Sequence, residues 1–145
     1  GSGPGIRGSK ILDLYAGSGA LGIEALSRQA LHVSFVDNSP QSIKLIKDNC
    51  SLIGNPENTS TISMDASKIN SRGGAYDIIF IDPPYRQDLI TPTLANIINQ
   101  KLLDNEGIAV IEYASEENID IPDGFFKIKM KKMGEATFSI LQLSC

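Results

Sequence analysis

Three glycines in one short stretch offer a place where a ligand can lie directly against the polypeptide backbone. Gly17, Gly19 and Gly22 follow the apolar run Ile11–Tyr15 and lie in or next to the amphipathic stretch Ala20–Gln29. This order predicts a strand, a tight turn and a helix, with backbone N–H groups available at the turn. The glycines match G-x-G-x-x-G, a spacing found in several nucleotide-binding turns, so the spacing alone does not choose the ligand.

A carboxylate just before the turn narrows the choice. Asp13 lies four residues before Gly17, near the end of the predicted strand, where it would repel the pyrophosphate of a dinucleotide. The same carboxylate suits the ammonium group of an amino-acid tail. Asp13 and the turn residues Ala16, Gly17, Ser18 and Gly19 therefore favour S-adenosylmethionine over NAD as the cofactor. A capping or turn-bonding carboxylate and a plain strand-to-helix turn are the structural alternatives.

Two further acidic residues follow the next predicted strands. Asp37, with Asn38 after it, ends the second strand, where a carboxylate can accept two hydrogen bonds from ribose hydroxyls. Asp65, with Ala66 after it, follows the third strand and can accept a hydrogen bond from the adenine amino group. Both positions support a nucleoside-binding rim. Their structural alternatives are helix capping by Asp37 and an ordinary loop aspartate at position 65.

A second motif, formed by Asp82, Pro83, Pro84 and Tyr85, follows the fourth predicted strand. Consecutive prolines fix φ and favour an extended backbone, so the motif offers a rigid set of acceptors. The Asp82 carboxylate and a backbone carbonyl can accept from an exocyclic NH₂ group, and the Tyr85 ring can stack on a base. Holding both N–H bonds aims the nitrogen at a methyl group for in-line transfer, with neither a metal nor a covalent nucleophile. A proline-rich surface turn is the alternative.

These motifs are placed by an alternating pattern of strands and helices. Strands are predicted at Ile11–Tyr15, Val33–Asp37, Thr59–Met64, Tyr76–Ile81 and Gly107–Glu112, and helices at Ala20–Gln29, Pro40–Ile53 and Leu89–Lys101, with a short turn at Ala66–Asn70. Several strands are continuously apolar, as expected when helices cover both faces of a parallel sheet. The fold class is therefore α/β, a three-layer, doubly wound, mostly parallel sheet.

The end of the chain departs from this alternation. The runs Phe125–Lys132 and Ala136–Leu143 have no helix between them, which predicts a C-terminal antiparallel β-hairpin and a seven-stranded, Rossmann-like sheet typical of class I methyltransferases. Strict alternation would place Phe126, Ile128 and Met130 on one face and the lysines between them on the other.

Composition fits one globular domain. The chain has 145 residues, 41% hydrophobic and 21% charged, and a net charge of −4 argues against a protein coated in nucleic acid while allowing a local basic patch. The densest cluster is Lys127, Lys129, Lys131 and Lys132, most simply the solvated face of an edge strand. Cys50 and Cys145 form no metal or redox spacing, so free thiols and a cytoplasmic location are expected; no membrane span or signal peptide is evident. A structural or exposed role is expected for His32, the single histidine.

These residues together resemble the RsmD family, bacterial methyltransferases that act on guanine N2 in 16S ribosomal RNA. The matching stretches are Leu12–Arg28, Phe35–Asn38, Ile79–Tyr85 and the late hairpin containing Gly134. The resemblance implies S-adenosylmethionine at Asp13, Gly17, Gly19, Asp37 and Asp65. It also implies a flipped guanine against Asp82 to Tyr85, because chemistry on a nucleobase requires base flipping.

The resemblance covers residues 10–145, which we interpret as the methyltransferase domain. Residues 1–9 are expected to be a flexible lead-in or a remnant, because they are small and almost free of apolar side chains. The resemblance also implies a basic segment with an Arg-Pro-Thr pattern before the first strand, which this stretch lacks. Truncation and natural loss are both open. The expected partner is 16S rRNA or an assembly intermediate of the small ribosomal subunit, and a monomer is expected.

The same residues would also permit two other functions. The Asp82 to Tyr85 motif would also permit methylation of adenine N6 in DNA or RNA. A protein that keeps the fold but serves as a non-catalytic RNA-binding module is the alternative from another functional class.

Overall fold

The computed structural model describes residues 5–70 and 74–144. The strands are β1 (Lys10–Leu14), β2 (His32–Asp37), β3 (Thr59–Ser63), β4 (Tyr76–Ile81), β5 (Leu103–Ala114), β6 (Phe125–Met133) and β7 (Ala136–Leu143). The α-helices are α1 (Ala20–Ser27), α2 (Pro40–Leu52) and α3 (Ile90–Asn99), with a short 3₁₀-helix at Ala66–Lys68. Each predicted element is present, and most bounds differ by one or two residues; β5 is the exception, since it begins earlier than predicted.

The strands form one seven-stranded sheet in the order β3-β2-β1-β4-β5-β7-β6. The first five are parallel, and β7 pairs antiparallel with both β5 and β6. The chain order reverses between β1 and β4, so the loops after these two strands diverge to opposite sides. A crevice at the carboxyl ends of the strands is the expected ligand site at such a switch point. The predicted α/β sheet with its terminal hairpin is confirmed.

Apolar side chains cover both faces of the sheet. Ala25 of α1 and Ile46 of α2 pack with Phe35 of β2 on one face. Leu94 and Ile97 of α3 pack on the other face, with residues of β1, β4 and β5. The sheet stabilises these helices, because each helix buries its apolar side against it and a helix of this length is only marginally stable alone in water.

One prediction about the hairpin is wrong. Lys127 pairs with Leu141 and Lys129 with Ile140, which leaves Ile128 as the extra residue of a β-bulge. The bulge reverses the alternation, so Phe126, opposite Gln142, and Met130, opposite Ser139, lie on different faces. Strict alternation along one strand cannot predict an inserted residue. As a result of the bulge, the lysines are divided between both faces of the sheet.

Some predictions lie at the edges of the described chain. Residues 1–4 and Cys145 are outside the described residues. Within residues 5–9, Gly8 N–H donates to the Gln29 carbonyl, and the Ser9 carbonyl accepts from Leu31 N–H. The expected lead-in at residues 1–9 stays a prediction.

Cys50 is a free, buried thiol. None of the described helices combines the length and apolar character needed to cross a membrane.

Candidate functional site

A cleft of about 960 Å³ lies at the carboxyl ends of the central strands. It is lined by Asp13, Tyr15, Ala16, Gly17, Ser18, Ala20, Leu21, Asp37, Asn38, Ser39, Ser42, Asp65, Asp82, Pro83, Pro84, Tyr85, Gln87, Leu89 and Glu112. Every predicted site residue except Gly19 and Ala66 lines it. The structure therefore brings the glycine turn and the Asp82 motif, far apart in the chain, to one cavity.

Asp13 lines the cleft, and its side chain is almost completely buried. Its Oδ2 accepts a hydrogen bond from the backbone N–H of Gly22 at 3.2 Å. Burial raises the pKa of Asp13 to about 7, against the opposing effect of this hydrogen bond, and the nearby carboxylates of Asp82 and Asp37 raise it further. A bound cation would offset these costs and favour the ionised form. The site thus suits the ammonium group expected from the sequence.

Asp37 holds the glycine turn. Its Oδ2 accepts from Gly17 N–H at 3.0 Å, and its Oδ1 accepts from Ser39 N–H at 2.9 Å. Ser39, and not Asp37, caps α2 through its hydroxyl, which accepts from Ser42 N–H. Helix capping, the structural alternative for Asp37, is therefore performed by Ser39. Each Asp37 oxygen retains further acceptor capacity for a ligand hydroxyl at the rim.

Glycine is required in the turn for two different reasons. Gly17 has a φ of +59° and open space where a side chain would stand, so only its backbone conformation demands glycine. Gly19, with a φ of +81°, faces the core instead, and an added Cβ would lie 3.2 Å from Cε1 of Phe35. Gly17 therefore lines the cleft without a side chain that would fill it, whereas Gly19 allows α1 to approach β2.

The Asp65 carboxylate lies at the rim and is largely occupied by local bonds. Its Oδ1 accepts from the backbone N–H and the hydroxyl of Ser67, which lowers the pKa of Asp65. Ala66 is buried in the core, so its side chain does not reach the cleft. The roles of Asp65 and Ala66 in adenine binding stay predictions.

The Asp82 motif forms the opposite wall of the cleft. Burial raises the pKa of Asp82 to about 6, with a further contribution from the Glu112 carboxylate. The Tyr85 hydroxyl donates to Glu112 Oε2 at 2.9 Å, and this bond raises the tyrosine pKa. Tyr85 itself is 40% exposed, which leaves its ring available to a base.

The loop after this motif is fastened to the chain that follows β5. Arg86 adopts a φ of +62°, and its backbone N–H donates to Glu117 Oε1 at 2.8 Å. Its guanidinium group contacts Glu116. These contacts fix the wall at a point one residue beyond Tyr85, because two acidic side chains hold the backbone and side chain of the same arginine.

Glu112 is a site residue that sequence reasoning missed. It stands at the end of the predicted strand Gly107–Glu112, as Asp37 stands at the end of its own strand. The rule that selected Asp37, an acidic residue at a strand's carboxyl end, would also have found Glu112. Tyr15 was likewise missed; its hydroxyl is hydrogen-bonded to Thr93 Oγ1 at 2.7 Å.

The cleft is strongly acidic. Across residues 5–70 and 74–144, Asp13, Asp37, Asp82 and Glu112 form no ion pair with a basic side chain. In the same ranges, no group of three or more His, Cys, Asp or Glu residues is arranged to hold a metal ion. Carboxylates at this density favour a cationic ligand with several hydrogen-bond donors.

Burial of Asp13 predicts a pH dependence. In the unfolded chain this group ionises near 3.8, whereas the folded protein raises its pKa to about 7. Its stabilising contribution is therefore complete below pH 3.8 and is lost as pH rises through 7. We expect the ligand-free protein to lose stability between about pH 4 and pH 7 through this group, and Asp13→Asn to reduce that slope in thermal denaturation. An unchanged slope would contradict the assignment of the shift to Asp13.

The family described as conserved hypothetical protein 95 matches residues 2–142. The chain belongs to this family. It is 34% identical to ribosomal RNA small subunit methyltransferase D of Buchnera aphidicola subsp. Acyrthosiphon pisum, over 87% of this chain and 66% of that protein. It is 30% identical to the protein of the same name from Escherichia coli K12, over 96% of this chain and 71% of that protein. The chain thus spans about two thirds of the length of these relatives.

Solved structures place the family's fold among the Rossmann-like methyltransferases. The Escherichia coli protein yhhF, described as a methyltransferase, superposes with a TM-score of 0.87 at 25% identity, over 97% of this chain and 80% of that chain. The Haemophilus influenzae protein HI0767, described as a methylase, gives a TM-score of 0.84 at 25% identity, over 95% of this chain and 88% of that chain. The predicted family and fold are confirmed.

Proposed function

We propose that this family member transfers a methyl group from S-adenosylmethionine to the exocyclic N2 amine of a guanine in 16S rRNA. The observation that carries the proposal is the shared cleft. The glycine turn forms one wall of this cleft, and the carboxylates of Asp82 and Glu112 lie on the other. The names of the relatives support rRNA of the small subunit as the substrate class. This substrate, free or in an assembly intermediate, implies a cytoplasmic site of action.

The donor half fits a cationic nucleoside. Asp13 would accept from the ammonium group and Asp37 from the ribose hydroxyls, and Gly17 carries no side chain that would occupy this part of the cleft. S-adenosylmethionine supplies an electrophilic methyl group on a positively charged sulfur. The negative charge of Asp13 and Asp37 would favour binding of this cation.

The acceptor half favours guanine because two carboxylates meet there. Asp82 and Glu112 both line the cleft, and the Tyr85 hydroxyl bond to Oε2 fixes the orientation of Glu112. An ionised carboxylate only accepts hydrogen bonds. Guanine offers adjacent N1–H and N2–H donors on its pairing edge, which two carboxylates can bind together.

Adenine is the poorer fit. Next to its N6 amine, adenine carries the N1 lone pair, an acceptor that would face a carboxylate and be repelled. An amide side chain in place of one carboxylate would remove that conflict, since it both donates and accepts. Asp82 alone could bind either amine, so discrimination between guanine N2 and adenine N6 depends on Glu112 as the second carboxylate.

The reaction on this wall needs orientation and a place for a proton. Asp82 and a backbone carbonyl of the motif hold the amine so that its lone pair faces the methyl carbon, while Tyr85 stacks on the ring. The N–C bond forms as the S–C bond breaks, and the amine then gives up one proton. Asp82, whose pKa is raised to about 6, is matched to accept it near neutral pH.

The test replaces the carboxylate and the base together. The methylated guanine is first located with the wild-type protein and then replaced by 2-aminopurine, which keeps the 2-amino group and lacks N1–H. We expect the wild type to prefer guanine about 100-fold in kcat/KM, consistent with the loss of one hydrogen bond to a buried carboxylate. In Glu112→Gln the preference should fall about 10-fold, because the amide can donate to N1 of 2-aminopurine.

Tyr85→Phe is the comparison variant. It keeps the Glu112 carboxylate and the aromatic ring but removes the hydroxyl that orients Glu112, so we expect it to lower the guanine preference less than Glu112→Gln does. Equal preferences in wild type and Glu112→Gln would contradict the role of Glu112. Transfer to adenine N6 in place of guanine would overturn the proposed function.

A further inference from the structure

The bulge in β6 places two lysines in line with the acceptor wall. Across the sheet, Glu112 of β5 pairs with Phe138 of β7, which pairs with Lys131 of β6. Directly paired residues share a face, so all three point to the same side. Two strand spacings of about 4.8 Å put the Lys131 backbone roughly 10 Å from that of Glu112.

The next row repeats the arrangement. Val110 pairs with Ile140, and Ile140 with Lys129. Phe126, opposite Gln142, lies on this same side and is 46% exposed. We call Lys129, Lys131, Phe126, Phe138 and Ile140 the basic sheet face.

The two sides of the hairpin differ in exposure. Along β7, Thr137, Ser139 and Leu141 are buried, whereas Phe138 and Ile140 between them are half-exposed. Lys129 and Lys131 are exposed. The basic sheet face is therefore an open surface of aromatic, aliphatic and ammonium groups beside the cleft.

The charge of the basic sheet face indicates which kind of ligand binds there. The chain carries a net charge of −4, and its cleft is lined by carboxylates that repel phosphate. A base that enters the cleft leaves its phosphates and neighbouring nucleotides outside. Two lysines attract those phosphates, and exposed aromatic rings stack on unpaired bases.

We propose that the basic sheet face binds the RNA strand next to the target nucleotide, with Lys129 and Lys131 on phosphates and Phe126 on a flanking base. The inference rests on the proposed function for the identity of the nucleic acid. It assigns the bulge a role, because without the inserted Ile128 the alternation would turn Lys129 and Lys131 to the opposite side. The acidic cleft selects the base, and the hairpin holds the chain that carries it.

A structural explanation of the lysines makes a different prediction. Lysine on an edge strand prevents pairing with other sheets, and that role applies to all four lysines. Lys127, opposite Leu141, and Lys132, opposite Thr137, point away from the basic sheet face. The two pairs carry the same charge on the same strand, so they are matched for comparison.

The test measures binding of unmethylated 16S rRNA, transcribed in vitro, as a function of salt. The variants are K129E/K131E and K127E/K132E, which change the net charge equally. We expect K129E/K131E to weaken RNA binding at least 10-fold and to reduce the salt slope by about 1.5, the value for two lost phosphate contacts. K127E/K132E should weaken it less than about threefold, as expected for distant surface charges. K129Q/K131Q should give a smaller loss in the same direction, and S-adenosylmethionine affinity checks the folding of each variant.

The outcomes separate this inference from the proposed function. Equal losses in both Glu variants, or none in either, would overturn the basic sheet face. Self-association of the wild type that buries Phe126 would also overturn it, with a second copy as the occupant. Selective loss of RNA binding in a protein that methylates no RNA would support the face and overturn the proposed function.

Discussion

Replacing Asp82 by alanine should lower kcat by about 10³-fold, the loss expected when one preorganised polar group is removed from a buried reacting centre. Asp82 is half-buried at the acceptor wall, and its raised pKa of about 6 suits both roles assigned to it. It orients the amine and accepts its proton. Single-turnover methyl transfer, measured with saturating RNA, reports the chemical step directly.

Donor binding should respond differently to the same change. The Asp82 carboxylate raises the pKa of Asp13, so its removal should leave S-adenosylmethionine affinity equal to the wild type or slightly higher below pH 7. Asp82→Asn keeps one acceptor oxygen and should lose less activity than alanine. Glu57→Ala, at an exposed residue that does not line the cleft, is the control. A large loss of donor affinity with unchanged kcat would contradict the role of Asp82.

Replacing Gly22 by alanine should lower the free energy of unfolding by about 2 kcal/mol, as typical for overpacking a core, despite the better helix propensity of alanine. An added Cβ would lie 2.4 Å from Cε1 of Phe35 and 2.8 Å from Cγ1 of Val33. Both neighbours are fully buried, so α1 must shift away from the sheet. Chemical denaturation measures the loss.

That shift should also reach the donor site, because the Gly22 backbone N–H donates to Asp13. We expect weaker binding of S-adenosylmethionine in Gly22→Ala at a temperature where the variant is fully folded. Glu24→Ala, in the same helix and exposed, is the matched control and should change stability by less than about 0.5 kcal/mol. Wild-type stability in Gly22→Ala would contradict the close packing of α1 on β2.

Much of the fold follows from local pattern. The alternation of apolar runs and amphipathic stretches predicts the parallel sheet, and the missing helix after Phe125 predicts the hairpin. The position of most site residues follows from one rule, that parallel strands end at a common edge where ligands bind. Asp13, Asp37 and Asp82 were found in this way, because each lies at the end of a strand.

Features that depend on pairing between distant residues could not be predicted. The bulge at Ile128 exists only in the register of β6 on β7, and a single strand carries no sign of it. The bond between Tyr85 and Glu112 joins loops whose distance is set by the packing of β4 beside β5. The need for glycine at position 22 likewise depends on the Phe35 ring, which a nucleotide-binding spacing does not reveal.

In the proposed function, one cleft brings a sulfonium methyl donor to guanine N2. The most direct measurement incubates the protein with S-adenosylmethionine carrying an isotopically labelled methyl group and unmethylated 16S rRNA, then identifies the labelled nucleoside by mass spectrometry. We expect label in N2-methylguanosine, and its loss in Asp82→Ala. Label in N6-methyladenosine, or label in N2-methylguanosine that persists undiminished in Asp82→Ala, would contradict it.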